Sequence, residues 1–459
     1  MFFKPQHVHF VGIGGMGMSA IAEVLLTLGY KVSGSDLKLS PVTERLAKLG
    51  ATIYTGHDAA NVGEAKAVVV TSALDRGNPE VAEARRLQIP VIPRGELLAE
   101  LMRLKFGIAI AGSHGKTTTT SMVASILNAA SLDPTVVVGG RVAAMEGSNA
   151  RVGKSSLLVV ESDESDGSFL KLAPIIAVVT NIDREHLDHY ASLDEICAAF
   201  ADFINRVPFY GAAVVCLEDE NIQHIFPDIR RRTITYGRSA QVDLAIEDVA
   251  LAAGESEFTI RRRGEDLGKF HLNVPGIHNV LNGTAAAGVG LELEVPIEQI
   301  RAGLERFSGV DRRFSVRGME RGVTVVDDYG HHPTEIKATL AAARLAPFRK
   351  IRVLFQPHRY SRTKHLLDEF GTAFHDADDL FVLDIYAASE PALAGVTARA
   401  LLERIQSYGH RSAHYAASAD EGVEEIARAA EAGDLIITLG AGNVSQAAEK
   451  ILDKLREGG

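Results

Sequence analysis

Cysteine is scarce in this 459-residue chain, long apolar runs are missing and positive charge is in deficit. The two cysteines, Cys197 and Cys216, cannot build a disulfide framework. Each sits in an apolar stretch, so buried, reduced thiols in a reducing compartment are expected. No apolar run nears the roughly 18 residues needed to span a bilayer, so no membrane partner is expected. The opening MFFKPQHVHF breaks its short apolar stretch with Lys4, Pro5 and Gln6. It lacks a secretory core, and a cytoplasmic location is expected. A formal net charge of -11 offers no basic face to a nucleic acid. Solenoid-length repeats and low-complexity tracts are missing too. What is present is an ordinary globular composition, 46% hydrophobic and 23% charged. The length exceeds one hydrophobic core and suggests about three domains of roughly 150 residues.

Strand and helix patterns alternate from end to end, which predicts α/β domains with parallel, doubly wound sheets. A first, Rossmann-like domain is expected over 1–104, with strands near 8–11, 31–35 and 67–71. A central P-loop-type α/β domain over 105–309 has strands near 106–111, 157–160 and 175–180. Between about 231 and 274 polar and apolar residues alternate, which predicts antiparallel hairpins laid on that domain. The basic run Arg261–Arg263 inside this stretch reads as solvated surface. A third, Rossmann-like domain is expected over 310–459, with strands near 323–326, 351–355, 380–385 and 435–439. A hinge is expected near 308–313.

Two glycine-rich turns carry the chemistry. Gly12, Gly14 and Gly17 form G-x-G-x-x-G between a strand and a helix, where backbone amides approach a pyrophosphate at a helix N-terminus. Asp36 ends the next strand, near the spacing at which an acid meets a ribose hydroxyl. Alone, this motif would suggest a nicotinamide-dependent dehydrogenase, but a UDP-sugar also carries a pyrophosphate and a ribose. The second turn, Gly112-Ser113-His114-Gly115-Lys116-Thr117, again joins strand to helix, as a P-loop does. It departs from the Walker pattern, since Ile110 stands where the first glycine belongs. Backbone amides there would cradle phosphates, Lys116 would face the β/γ oxygens, and Thr117 or Thr118 would reach Mg2+.

A strand ending in Glu161-Ser162-Asp163-Glu164 places carboxylates where a hard cation beside a P-loop finds its protein ligand. The next ends in Thr180-Asn181-Ile182-Asp183, followed by His186, Asp188 and His189. No cysteine or spaced third histidine completes a zinc site in that stretch. Glu161 is therefore read as a Mg2+ ligand and His186 as a ligand of a second metal. Glu164, Asp166, Asp188 and His189 are read as an acidic, solvated loop. In the last domain Tyr329, His331 and His332 follow a strand end, as do His358, Arg359 and Arg362, and arginine forks suit an amino-acid carboxylate. His332 reads as a cap before Pro333.

A dehydrogenase needs no second phosphate site with metal ligands, and a switch NTPase needs no pyrophosphate domain before its P-loop. Together the two turns suggest that ATP and a second nucleotide-bearing substrate meet at a domain interface, as carboxylate activation by phosphoryl transfer requires. The sequence resembles the Mur ligases, and within them the branch adding L-alanine. The resemblance rests on VHFVGIGGMGMS (8–19), GSHGKTTTT (112–120), ESDESDGSF (161–169) and TNIDREHLDHY (180–190). It continues through PGIHNVLN (275–282), DRRF (311–314), DDYGHHPTE (327–335), QPHRYSRT (356–363) and LGAGN (439–443). Ser113 is a mild departure from the family's GTHGKTTT.

The resemblance implies UDP-N-acetylmuramate, L-alanine and ATP as substrates, Mg2+ as the metal, and a monomer or homodimer. UDP-sugar binding would then fall to Gly12, Gly14, Gly15, Met16, Gly17, Met18, Ser19, Asp36, His57 and Ser72. ATP would meet Gly112, Ser113, His114, Gly115, Lys116, Thr117, Thr118, His278, Asn279, Arg313 and Asp328. Lys116, Glu161, His186, Asn279, Asn282, Arg313 and Asp328 would form the catalytic set. Thr117, Glu161 and His186 would hold the metal, and Tyr329, His331, His358, Arg359 and Arg362 the amino acid. The recycling ligase that joins a tripeptide to the same UDP-sugar is the nearest alternative, but GIGGMGMS looks more like the alanine branch.

Overall fold

The computed structural model describes residues 6–71, 77–138, 150–187 and 189–457. Ser72, Asp188 and the side chain of Met16 fall outside the described residues.

Short apolar strands build a first, wholly parallel sheet. Its members are β1 (His7–Val11), β2 (Lys31–Asp36), β3 (Thr52–Thr55), β4 (Ala67–Val70) and β5 (Val91–Pro93), in the order β3-β2-β1-β4-β5. The chain leaves β1 to one side and returns on the other, so the strand order reverses at β1. Such a reversal opens a crevice at the strand's C-terminal end. The first glycine turn occupies that end, leading from β1 into the helix Met16–Thr27.

A second sheet comprises β6 (Phe106–Ala111), β7 (Thr135–Val137), β8 (Ala150–Arg151), β9 (Leu157–Glu161), β10 (Ile176–Val179), β11 (Ala212–Cys216), β12 (Thr233–Gly237), β13 (Leu244–Ala252), β14 (Glu255–Arg262) and β15 (Glu265–Leu272). Its order is β15-β14-β13-β12-β11-β10-β6-β9-β7-β8. The strand β6 lies between β10 and β9, all three parallel, with Ile108 to Ala111 buried. Strands covered on both faces read as unbroken apolar runs, and IAVV and LLVV do so. The hairpin expectation holds only for β13–β15, which form an antiparallel meander. TITYG instead continues the sheet as β12, parallel to β11 and β13. Its polar threonines misled because alternation does not report the direction of a strand's neighbours; β12 lies inside the sheet, with Thr235 and Tyr236 buried. Arg261 and Arg263 pair with Glu247 and Asp243 at the surface.

The third sheet holds β16 (Ser315–Glu320), β17 (Val323–Asp328), β18 (Ile351–Phe355), β19 (Asp379–Val382), β20 (Ala413–Tyr415) and β21 (Leu435–Leu439), in the order β16-β17-β21-β18-β19-β20. Only β16 runs antiparallel to its neighbour. The first two sheets share one continuous apolar cluster, from Val8 to Val310. The third sheet has separate clusters on its two faces. Its contacts with the central domain are largely polar: Thr334 to Asp183, Arg362 to Glu185 and Arg184 to Glu369. A polar interface of this kind is held less tightly than a shared core.

Candidate active site

The central P-loop leaves β6 at Ala111 and enters the helix Lys116–Ala129. The neighbouring strand end fastens it. The Asn181 side chain accepts from His114 N at 2.8 Å, and the Thr180 hydroxyl donates to His114 O at 2.6 Å. A Cβ at Gly112 would collide with Thr180 Oγ1, and one at Gly115 would stand 2.5 Å from Asn282 Oδ1. Both glycines have positive φ, 133° and 81°. Glycine is needed at each for space and for backbone conformation alike.

Lys116 Nζ donates to Gly112 O (2.6 Å), Ser113 O (3.0 Å) and Glu164 Oε1 (2.8 Å). The ammonium thus lies back over the cradle; burial opposes its charge, but Glu164 nearby raises its pKa. Thr117 Oγ1 lies 2.9 Å from both oxygens of Glu161. His186 Nε2 reaches Glu164 Oε1 at 3.2 Å and Glu185 Oε2 at 3.6 Å. Its φ of 56° is left-handed. Glu164 Oε2 is buried without a hydrogen-bond partner among the described residues, which suits a cation or a further donor.

The solvated-loop reading therefore fails for Glu164. The carboxylate is buried and lies between Lys116 and His186. Sequence spacing gave no hint, because Lys116 is 48 residues away.

Two cavities meet at the P-loop. One, of about 610 Å³, is bordered by Gly17 and Arg94 from the first domain, Lys116, Thr117, Glu161 and His186 from the second, and His331, His358, Arg359 and Arg362 from the third. The other, of about 990 Å³, lies between the central and last domains beside His278, Asn279, Asn282, Arg313 and Asp328. His114 and Gly115 line both.

In the larger cavity, burial and the charge of Arg313 lower the His278 pKa to about 4, so its ring is neutral at pH 7. Asn279 donates to Pro275 O. Asp328 accepts from Phe314 N (2.7 Å) and Gly330 N (2.7 Å), and burial pushes its pKa up. Asp327 instead turns inward to Arg312, Arg317 and Thr438, so Asp328 is the one of the pair that lines the cavity.

On the smaller cavity's far wall, Arg362 is fixed by Glu185 (3.1 Å) and His358 Nδ1 (3.1 Å). Burial and Arg362 lower His331 to about 3 and His358 to about 4, leaving the arginines as the positive groups there. Arg312 and Arg313 lie over the Tyr329 ring, 5.0 and 5.2 Å from its centre. His332 caps the helix Pro333–Ala343 through Nδ1, as expected of it.

In the first domain, Gly14 N donates to Asp36 Oδ2 at 2.9 Å, so this acid shapes the turn itself. Among the described residues of the expected UDP-sugar set, only Gly17 borders the smaller cavity. The Met18 and Ser19 side chains are buried, and Ser19 N already donates to Gly15 O at 2.9 Å within the helix. His57 borders neither cavity. It joins Ser35 and buried Glu80, whose carboxyl His9, Ser35, Asn61 and His57 hold at about 2 against the opposing effect of burial.

Arg94 went unnoticed in the sequence. It covers Gly17 so closely that a Cβ there would strike the guanidinium, and it bridges to Asp163 at 2.9 Å. Asp183, Glu185 and Glu335 were missed too. They surround His114, His331 and His332 as carboxylates held well below their usual range.

Comparison with known proteins gives a consistent result. The sequence model described as "Mur ligase family, catalytic domain" matches residues 7–106, "Mur ligase middle domain" matches 110–290, and "Mur ligase, glutamate ligase domain" matches 312–442. A protein of Solibacter usitatus named UDP-N-acetylmuramate--L-alanine ligase is 66% identical over 459 residues, covering 100% of this chain and 97% of its own. One of the same name from Myxococcus xanthus is 52% identical, covering 99% and 97%. The crystal structure of UDP-N-acetylmuramate-alanine ligase from Thermotoga maritima superposes with a TM-score of 0.81 at 29% identity, over 99% of this chain and 100% of that one. A murein peptide ligase from Psychrobacter arcticus shares the fold, with a TM-score of 0.70 at 24% identity over 98% of each chain.

Proposed function

The chain belongs to the Mur ligase family, whose members form amide bonds with ATP, and from that premise we propose that it joins L-alanine to the carboxylate of UDP-N-acetylmuramate. The observation that carries this reading is the shared cavity. Gly17 of the first phosphate turn and Lys116 of the second border one space, which the third domain closes with two arginines.

The sugar carboxylate attacks the γ-phosphate of ATP, giving an acyl-phosphate and ADP. Lys116 offsets the charge developing on the transferred group, and the loop amides orient it. The neutral amine of L-alanine then attacks the acyl carbon and phosphate leaves. Arg359 and Arg362 hold the amino acid's carboxylate. The adenosine end lies in the larger cavity against His278, Asn279, Asn282 and Arg313. Because an acyl-phosphate hydrolyses readily, closure of the third domain must exclude water.

The Thr117 hydroxyl, the Glu161 carboxylate and the unpartnered Glu164 oxygen fit Mg2+ by donor type, and the His186 imidazole would stand beside them as a softer donor. When bound, the ion neutralises charge on phosphate oxygens. Peptidoglycan-precursor synthesis in the cytoplasm is the proposed setting; no helix among the described residues is long and apolar enough to cross a membrane. Addition of L-alanine is favoured over tripeptide recycling because relatives named for it reach 66% identity, whereas the murein peptide ligase shares only the fold.

The test is phosphate release from ATP with UDP-N-acetylmuramate, L-alanine, both or neither. Release should require both. Release with ATP alone, unchanged by either addition, would dismiss the ligase.

A further inference from the structure

Where the P-loop meets the third domain, three side chains converge that the proposed reaction leaves without a chemical role. We propose that His114 Nε2, His332 Nδ1 and Asp183 Oδ2 form a binding site for a divalent transition-metal ion of the zinc class, separate from the phosphate-bound Mg2+. Asp183 Oδ2 lies 3.0 Å from His114 Nε2 and 3.4 Å from His332 Nδ1, and all three donor atoms fall within 4.8 Å of one another. A tetrahedral zinc ion with bonds of about 2.0–2.1 Å sets its ligands about 3.3 Å apart, so a small ring movement completes the set. Two imidazoles and one carboxylate, with a fourth position left for water, are donors that favour zinc over magnesium.

The surroundings supply what metal-bound histidines need. A ligating imidazole normally turns its other nitrogen to a carboxylate, which fixes tautomer and orientation. Here the remaining nitrogen of His114 faces Glu335 Oε1 at 3.6 Å, and that of His332 faces Glu185 Oε1 at 3.9 Å. His332 Nε2 and Glu185 Oε1 are both buried and without a hydrogen-bond partner among the described residues. Glu185 and Glu335, which stand behind the two rings, add their negative charge to that of Asp183 and so favour a dication. The ion would replace the bond from Thr334 N to His332 Nδ1 (3.3 Å) and the contact of His114 Nε2 with Asp183 Oδ2 (3.0 Å), while Thr334 Oγ1 can still donate to Asp183 Oδ2 at 2.6 Å.

His114 belongs to the P-loop and His332 to the third domain, so an ion held by both pins the closed arrangement. Zinc-class ions should therefore slow turnover while raising thermal stability.

The experiment is Co2+ titration of the full chain, read by visible absorption, and Zn2+ titration, read by calorimetry and thermal melting, all in excess Mg2+. The variants are His332→Asn, Asp183→Asn and His186→Asn. Asparagine is a good helix cap, so His332→Asn should keep the fold, and its metal-free melt serves as the control. Wild type should bind one ion per chain with the absorption of a low-coordinate site. Losing a neighbouring partner alone costs metal sites about 10–100-fold in affinity, so losing the ligand His332 should cost at least about 100-fold. Asp183→Asn should weaken binding likewise, and His186→Asn should leave it unchanged. No binding by wild type would overturn the site. So would equal affinity in His332→Asn and Asp183→Asn, or a loss confined to His186→Asn, which would assign the ion to the phosphate site.

Discussion

Replacing Lys116 by methionine keeps most of the side chain's length and removes its charge, so it separates what that charge does for folding from what it does for catalysis. The ammonium sits 2.8 Å from Glu164, a carboxylate with only 3% of its side chain exposed. Breaking a buried pair typically costs about 3–5 kcal/mol. The cost here should lie near the lower end, about 3 kcal/mol, because His186 Nε2 stays 3.2 Å from the same oxygen. Urea melts should show that loss, and Glu164→Gln in the Lys116→Met background should recover most of it. Turnover should not recover. Losing one charge-stabilising donor costs kcat about 10²–10³-fold, and the double variant still lacks it. Binding of UDP-N-acetylmuramate, measured by calorimetry without ATP, should stay as in wild type, because its phosphate turn belongs to the first sheet. Recovery of turnover in the double variant would refute the charge argument. Parallel loss of UDP-sugar binding would refute the division of labour between the two turns.

Three further substitutions probe the other walls of the site. Arg94→Ala removes a guanidinium that covers Gly17 and bridges to Asp163; the KM for UDP-N-acetylmuramate should rise about 10- to 100-fold, the value of a charged hydrogen bond, with the KM for ATP little changed. Arg362→Lys keeps the charge but loses the fork held between Glu185 and His358; the KM for L-alanine should rise about tenfold or more while the KM for UDP-sugar holds. His278→Gln tests the depressed imidazole pKa of about 4. The unfolded chain takes up a proton near pH 6.5 that the folded ring refuses until about pH 4, so stability is lost as pH falls through that window. The slope from this one ring is at most about 1.4 kcal/mol per pH unit, and denaturant melts of His278→Gln should show an acid limb shallower by that amount.

The two phosphate turns were legible because each is local. Strand, glycines and helix follow within a dozen residues, although what crowds the glycines, Thr180 and Asn282 at Gly112 and Gly115, is distant in sequence. The parallel sheets were legible from apolar runs such as FGIAIA and IAVV. TITYG was misread because alternation reports burial on each face of a strand, not the direction of its neighbours. The charged partners were the least legible. Arg94 meets Asp163 69 residues away, and Arg362 meets Glu185 177 residues away. Such pairs exist only after domains dock, and nothing in their local sequence sets them apart from surface charge. Glu335 did have a signal. It stands three residues after the cap residue His332, where a capping-box glutamate belongs, and it accepts from His331 N and His332 N. That it also reaches Arg313 and His114 could not be read from spacing.

The decisive measurement is a crystal structure with UDP-N-acetylmuramate and a non-hydrolysable ATP analogue bound together. The UDP pyrophosphate should lie at the turn Gly12–Gly17 and the triphosphate at Gly112–Thr117, with the sugar carboxylate and γ-phosphate adjacent in the cavity shared by Arg94 and Lys116. Both nucleotides in one pocket, or a first glycine turn facing solvent, would contradict the account.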